Sequence, residues 1–93
     1  MTVVADWHNH ALRLVSQAGG VSTLAGGETA GFADGQGAAA RFDRPHSVVL
    51  SSGEFVVSDQ CNNALRVVTP GGAVRTLAAA RMRTRAASSG SAS

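Results

Sequence analysis

Four side chains outside the carboxylates are of types that ligate zinc: His8, His10, His46 and Cys61. His8 and His10 are two positions apart, a spacing that turns both side chains to one side of an extended segment. Three such ligands brought together would make a metal site. The plainer reading is that histidines in the polar run Trp7-His8-Asn9-His10 face water, and the sequence favours it; His46 is the one weak metal candidate. Gly35-Gln36-Gly37-Ala38-Ala39-Ala40 fits the G-x-G-x-x-A pattern that cradles a pyrophosphate. That pattern works only between a strand and a helix of a βαβ unit, and here a loop precedes it and strands follow. Asp34-Gly35 opens like a calcium loop but lacks further oxygen ligands at alternating spacing. Cys61, between Gln60 and Asn62, has no cationic neighbour in sequence to activate it. Nothing else reads as catalytic: no Ser/His/Asp order and no paired carboxylates. Trp7 is either a binding anchor or a packing residue.

The elements that must position these residues are written twice. Val3–Ala25 recurs as Val56–Ala78, shifted by 53 positions without a gap. Val3, Val4, Asp6, Asn9, Ala11, Leu12, Arg13, Val15, Gly19, Val21, Thr23, Leu24 and Ala25 each find the same residue type 53 positions on. Such a period marks neighbouring supersecondary units that bury their apolar faces against one another.

Within the first copy, Thr2–Ala5, Ala11–Val15 and Val21–Ala25 read as short strands of a meander, separated by the polar run 7–10 and by Gly19-Gly20. Asn9 and Gly19 are of types that suit the positive φ of tight turns. The second copy is longer at its front. Strands are expected over Ser47–Leu50, Glu54–Ser58, Ala64–Val68 and Val74–Ala78, with Pro45 opening the first and turns at 51–53 and 70–72. Residues 26–44 form a long Gly/Ala-rich connection, with Phe32 and Phe42 as expected anchors and one helical turn at 38–41. No segment carries helical periodicity beyond a turn. The chain therefore divides into three strands over 1–25, a connection over 26–44, four strands over 45–80 and an Arg/Ser/Ala tail over 81–93, which is expected to be disordered.

Composition narrows the partners. The pI near 10.0 suggests a nucleic-acid or membrane binder until the charges are located. All eight basic residues are Arg, and Arg81, Arg83 and Arg85 lie in the tail; residues 1–80 carry a net of −1. The repeats thus offer no basic footprint for a phosphate backbone, and nucleic acid is not expected as a partner. The apolar runs are too short to span a bilayer as helices, and the N-terminus lacks the features of a signal peptide. A single cysteine excludes an internal disulfide, and compartment is not legible.

Four-stranded units repeated radially are propeller blades. A specific resemblance is carried by Gly31-Phe32-Ala33-Asp34-Gly35-Gln36-Gly37, Ala40-Arg41-Phe42, Arg44-Pro45, Val56-Val57-Ser58-Asp59, Asn62, Leu65-Arg66, Thr69-Pro70-Gly71-Gly72 and Thr76-Leu77-Ala78. As a set these residues resemble the NHL-repeat β-propeller family over roughly residues 3–79. Departures are Ser58 for Ala, Leu12 and Leu65 for Ile, and Ala79-Ala80 where the first copy has Gly26-Gly27. Pro45-His46-Ser47 also resembles the lyase half of peptidylglycine-amidating enzymes, where histidines at inner-strand starts hold zinc; only His46 stands in such a position here.

The residues themselves assign Asp59 to capping the Gln60–Asn63 turn through backbone N–H groups, with Asp6 doing the same in the first copy. Arg13 and Arg66 alternate out of phase with Leu12 and Leu65 and are within reach of those turns or of the adjacent sheet. The resemblance implies an all-β propeller fragment of about 1.75 four-stranded blades, with one rim holding Trp7, His8, His10, His46, Gln60 and Asn62. Asp6, Asn9, Arg13, Phe32, Asp34, Arg41, Phe42, Asp59 and Arg66 are its structural turn and loop residues. The function expected is a non-catalytic module binding a protein or small ligand on that rim, with no cofactor. A piece of a metal-dependent propeller lyase or hydrolase, and an RNA-binding face, are the alternatives. A closed propeller needs at least four blades, so exposed blade faces and self-association are expected.

Overall fold

The computed structural model describes residues 2–80. The expectation for the 81–93 tail lies outside the described residues. Those residues form eight strands and three single turns of 3-10 helix, with no α-helix among them. β1 (Thr2–Asp6), β2 (Ala11–Val15) and β3 (Val21–Gly26) make an antiparallel sheet in that order. β5 (Pro45–Ser51), β6 (Glu54–Asp59), β7 (Ala64–Val68) and β8 (Ala73–Ala79) make the second meander. The architecture is all-β: three strands of one propeller blade beside all four of the next.

The shift of 53 holds in three dimensions. Val3 faces Leu14 across β1–β2, and Val56 faces Val67 across β6–β7; Val4 faces Arg13, and Val57 faces Arg66. Even the irregularity recurs, between Leu12 and Arg13 in one sheet and Leu65 and Arg66 in the other. The hairpins close alike, with Gly19 at φ +90° and Gly72 at φ +94°, conformations that glycine adopts without a Cβ penalty. The first and second strands of each copy are joined by 3-10 turns at Trp7–Asn9 and Gln60–Asn62. Here one expectation fails by a residue. The positive φ falls on His10 (55°) and Asn63 (49°), because the 3-10 turn absorbs Asn9 and the chain reverses only after it.

Residues 27–44 do not hang free between the sheets. Gly35–Gln36 form a short strand, β4, that pairs with β8 at the outer edge of the second sheet, giving the order β4-β8-β7-β6-β5. A bridge between Ala33 and Arg41, and a 3-10 turn at Gly37–Ala39 where 38–41 was expected, fold the connection back toward β5. The Gln36 side-chain amide donates to the Gly71 carbonyl at 2.6 Å, and the Gly37 N–H to that of Gly72 at 2.8 Å. Two residues are too few to leave a periodic signature, so β4 was invisible in the sequence.

The core lies between the sheets. Leu12, Leu24, Ala25, Ala40, Phe42, Val57, Val68 and Val74 form one buried cluster. Phe42 is its central plug, fully buried and set against Gly26, where a Cβ would come within 2.8 Å of the ring. Burying a side chain of that size is worth about 1.5–3 kcal/mol. Phe32 behaves differently: 52% of it is exposed, and it contributes a ring face rather than core volume.

Candidate functional site

Two polar constellations flank this core, and the first is structural. Arg66, which β7 points into the gap between the sheet and residues 31–43, is fully buried. Its Nη1 donates to Asp59 Oδ2 at 2.8 Å and to the Arg41 carbonyl at 2.9 Å; its Nη2 donates to the Ala33 carbonyl at 2.8 Å and to Asp34 Oδ1 at 2.9 Å. The Phe32 and Phe42 rings lie 4.7 Å and 5.1 Å from its guanidinium carbon. Only Nε is left without a partner.

This arrangement corrects the capping role expected for Asp59, which makes no capping bond to the turn that follows it. Asp6 does interact with the Asn9 backbone N–H of its turn, but more weakly than with its side-chain partners. Asp59 Oδ2 also accepts from the Asn62 side-chain amide at 2.8 Å, and Oδ1 accepts the Asp43 N–H at 2.8 Å. The reason is the cost of a buried cation. A guanidinium removed from water needs a carboxylate in contact, and Asp59 on the neighbouring strand supplies it. In the first copy Asp6 accepts from Arg13 Nε at 2.9 Å and from the Asn9 amide at 3.0 Å, and Arg13 Nη1 donates to the Thr23 hydroxyl. The Asn9 amide, then Arg13, hold the Asp6 carboxyl below its ordinary pKa. Burial pushes Asp34 upward, but the Thr76 hydroxyl and Arg66 outweigh it and leave this carboxyl below its ordinary value too.

The second constellation lies on the rim, where the 3-10 turns and both ends of the 27–44 connection meet. The Cys61 N–H donates to the Asp43 carbonyl at 3.0 Å, and the Gly27 N–H to the His10 carbonyl at 3.3 Å. His10 Nδ1 accepts the Arg44 backbone N–H at 3.1 Å and lies 3.8 Å from Asp43 Oδ1. The Arg44 guanidinium carbon sits 5.1 Å over the Trp7 ring, and the Trp7 and His8 rings are 5.0 Å apart at 49°. Trp7 is 41% exposed. Of the six rim residues named from sequence, Trp7, His8 and His10 are thus brought together. His46 and Gln60 are exposed and stand outside these contacts. The Asn62 amide is turned inward, donating to the Gly31 carbonyl and to Asp59, both at 2.8 Å. Arg44 was missed as a site residue; the available signal was a basic residue directly ahead of the strand-opening Pro45. Among the described residues no three His, Cys, Asp or Glu side chains are grouped so as to hold a metal ion, and no helix is long and apolar enough to cross a membrane.

Residues 42–68, from the buried Phe42 through β5, β6 and β7, match the NHL repeat family. Both members of the buried Asp59–Arg66 pair fall inside the matched repeat. No curated protein sequence matches the chain. Among solved structures it is similar to an auxiliary nutrient binding protein from Bacteroides ovatus, at 24% identity and TM-score 0.66 over 75% of this chain and 21% of that one. It is likewise similar to an auxiliary nutrient binding protein from Bacteroides thetaiotaomicron, at 20% identity and TM-score 0.68 over 80% of this chain and 22% of that one. A putative phosphatase from the latter organism matches at 23% identity and TM-score 0.60, over 75% of this chain and 18% of that one. The chain spans about a fifth of the length of these structures. At these identities the likeness establishes the fold.

Proposed function

We propose that this NHL repeat unit is a non-catalytic binding module whose rim takes a carboxylate-bearing ligand, free or displayed on a protein. The observation that carries the reading is the Arg44 guanidinium over the half-exposed Trp7 ring, on a residue whose backbone N–H is held by His10 Nδ1. The Arg44 guanidinium is held over the indole, with its carbon 5.1 Å from the ring centroid, and the residue is exposed to solvent. An exposed guanidinium fork suits bidentate capture of a carboxylate, and the indole beside it suits an apolar or ring-bearing substituent. The nutrient-binding description of two structural neighbours is compatible with this reading and adds only direction.

Trp7 is the sole tryptophan, so its emission reports on the site directly. Titration with benzoate is expected to quench that emission saturably, whereas neutral benzamide leaves it unchanged. Arg44→Ala is expected to remove the benzoate response while the far-ultraviolet dichroism stays that of the wild type. A response to benzamide equal to that to benzoate, or an unchanged response in the Arg44→Ala chain, sinks the proposal.

A further inference from the structure

The rim carries a backbone feature that carboxylate capture does not by itself require. Arg44 sits at φ +57°, a left-handed conformation uncommon for a residue with a Cβ. Pro45 follows it, and a residue ahead of proline is biased further toward extended backbone. The Arg44 N–H donates to His10 Nδ1 at 3.1 Å, a bond that ties this strained residue to the turn of the first copy. A backbone N–H can only donate, so Nδ1 presents a lone pair and the neutral imidazole keeps its proton on Nε2. Asp43 Oδ1 lies 3.8 Å from the same nitrogen, too far for a hydrogen bond but placed to accept one once Nδ1 gains a proton. The other ionisable groups around His10 are turned elsewhere: the His8 ring is against Trp7, the Arg44 guanidinium lies over Trp7, and Glu28, one residue past the Gly27 N–H that bonds the His10 carbonyl, is exposed. The counterpart of His10, 53 positions on, is Asn63, at φ +49° against +55°. The backbone at this position therefore does not itself call for an imidazole.

We propose that His10 is a positioning residue that makes the Arg44 fork pH-sensitive, holding it while Nδ1 is unprotonated and releasing it when Nδ1 takes a proton. The consequence for binding rests on Arg44 being the carboxylate-capturing group. Protonation turns Nδ1 from acceptor into donor, so the Arg44 N–H loses its acceptor and meets a second N–H. The new Nδ1–H turns to Asp43 Oδ1. Arg44 is then free to leave its left-handed conformation, and the guanidinium moves off the indole. The positive charge gained by His10 would alone favour a carboxylate ligand. Asp43 answers that charge, and the imidazole is only 16% exposed whereas Arg44 is open to solvent, so release of the fork outweighs it. Carboxylate affinity therefore falls as pH falls.

Trp7 reads the switch without any ligand. Its emission in the full chain is followed between about pH 5 and 8, the range in which histidine ordinarily changes charge, with circular dichroism recorded alongside. One transition is expected that vanishes in His10→Asn and in Arg44→Ala and persists in His8→Asn. Asn is the residue the second copy places at this position, so His10→Asn keeps the backbone while removing the titration. Benzoate, a carboxylate that stays largely ionised over this range, is then titrated at both ends of it. Its affinity is expected to be on the order of tenfold weaker at the acid end, the weight of one hydrogen bond, and to lose that pH dependence in His10→Asn. An emission transition that follows His8 rather than His10, or no transition, overturns the switch. So does benzoate affinity that is flat with pH or rises on acidification, and either result leaves the carboxylate reading intact. A His10-dependent transition with no benzoate response at any pH does the reverse: it supports the switch on Arg44 and removes the carboxylate reading.

Discussion

The two copies of the repeat share a register to the residue, yet each is buried on the side where the other is open. Leu12 is fully buried and its counterpart Leu65 is 41% exposed; Val4 is 43% exposed and its counterpart Val57 is fully buried. The same inversion governs the ion pairs. Arg66 and Asp59 are removed from water by residues 31–43, whereas Arg13 and Asp6 keep about a quarter of their side-chain surface exposed. Sequence identity at these positions therefore fixes local geometry but not energetics. A blade has one face finished by the connection that precedes it and one finished by the blade that follows. Residues 27–44 with β5 finish the second face of copy one and the first face of copy two at once, which is why Phe42 touches both Gly26 and Arg66.

The sharpest way to break this comparison is to remove the acid from each pair. Asp59→Ala leaves Arg66 a buried cation without its nearest counter-charge and is expected to cost about 3–5 kcal/mol of stability. Asp6→Ala leaves an arginine that water reaches and should cost about 1 kcal/mol or less. Urea unfolding at neutral pH measures both. Equal losses would mean that the connection does not seal the second pair. The leucines give the reverse ordering between copies. Leu12→Ala should cost about 2–5 kcal/mol through the cavity it leaves, and Leu65→Ala about 0.5 kcal/mol, the scale of a surface change. Together the two experiments make copy two the more sensitive at its Asp and copy one the more sensitive at its Leu.

Much of this was legible before the fold was known, and the failures share a cause. Strands are encoded locally, by β-branched and apolar alternation between glycines, so all seven longer strands could be read from sequence. The Arg66 cage is not local: its acceptors come from Ala33, Asp34, Arg41 and Asp59, which only the folded connection brings together. Read in sequence order, Asp59 has a turn directly ahead of it and capping is the natural inference. The buried arginine that claims it lies seven residues on. Arg44 was missed for the same reason, since its partner Trp7 lies back in the first copy, at the far end of the connection. Of the rim residues, those on one turn were visible as a group; which of them would meet the connection was not.

A third test exchanges Gly26 and its counterpart Ala79. Gly26 has φ +85°, and a Cβ there would meet the His10 carbonyl oxygen at 2.5 Å as well as the Phe42 ring. Gly26→Ala is therefore expected to cost about 1–3 kcal/mol, the scale of a strained left-handed residue. Ala79→Gly relieves no contact in the chain and should cost about 0.5–1 kcal/mol through unfolded-state entropy alone. Thermal unfolding resolves the difference, and a Gly26→Ala chain as stable as wild type would remove the basis for calling the packing of Phe42 on Gly26 tight.

The smallest effect separates the copies by pH. Asp34, which braces Arg66 in copy two, and Asp6, which braces Arg13 in copy one, both have folded pKa values below their unfolded ones. Folding thus favours their ionised forms. Their contribution is complete above the ordinary carboxylate range and is lost as pH falls through the lowered folded values, so stability should fall on acidification below about pH 4. Asp34→Asn removes one of these groups and should flatten that fall. Glu54 is also held below its ordinary value, by the Arg75 hydrogen bonds at 3.1 and 3.2 Å, but both partners are exposed and salt screens them. Glu54→Gln should therefore leave the acid limb nearly unchanged at 0.15 M salt. A larger effect from Glu54→Gln than from Asp34→Asn would place the acid-sensitive interactions on the solvent face of the second sheet, away from the connection that distinguishes the two copies.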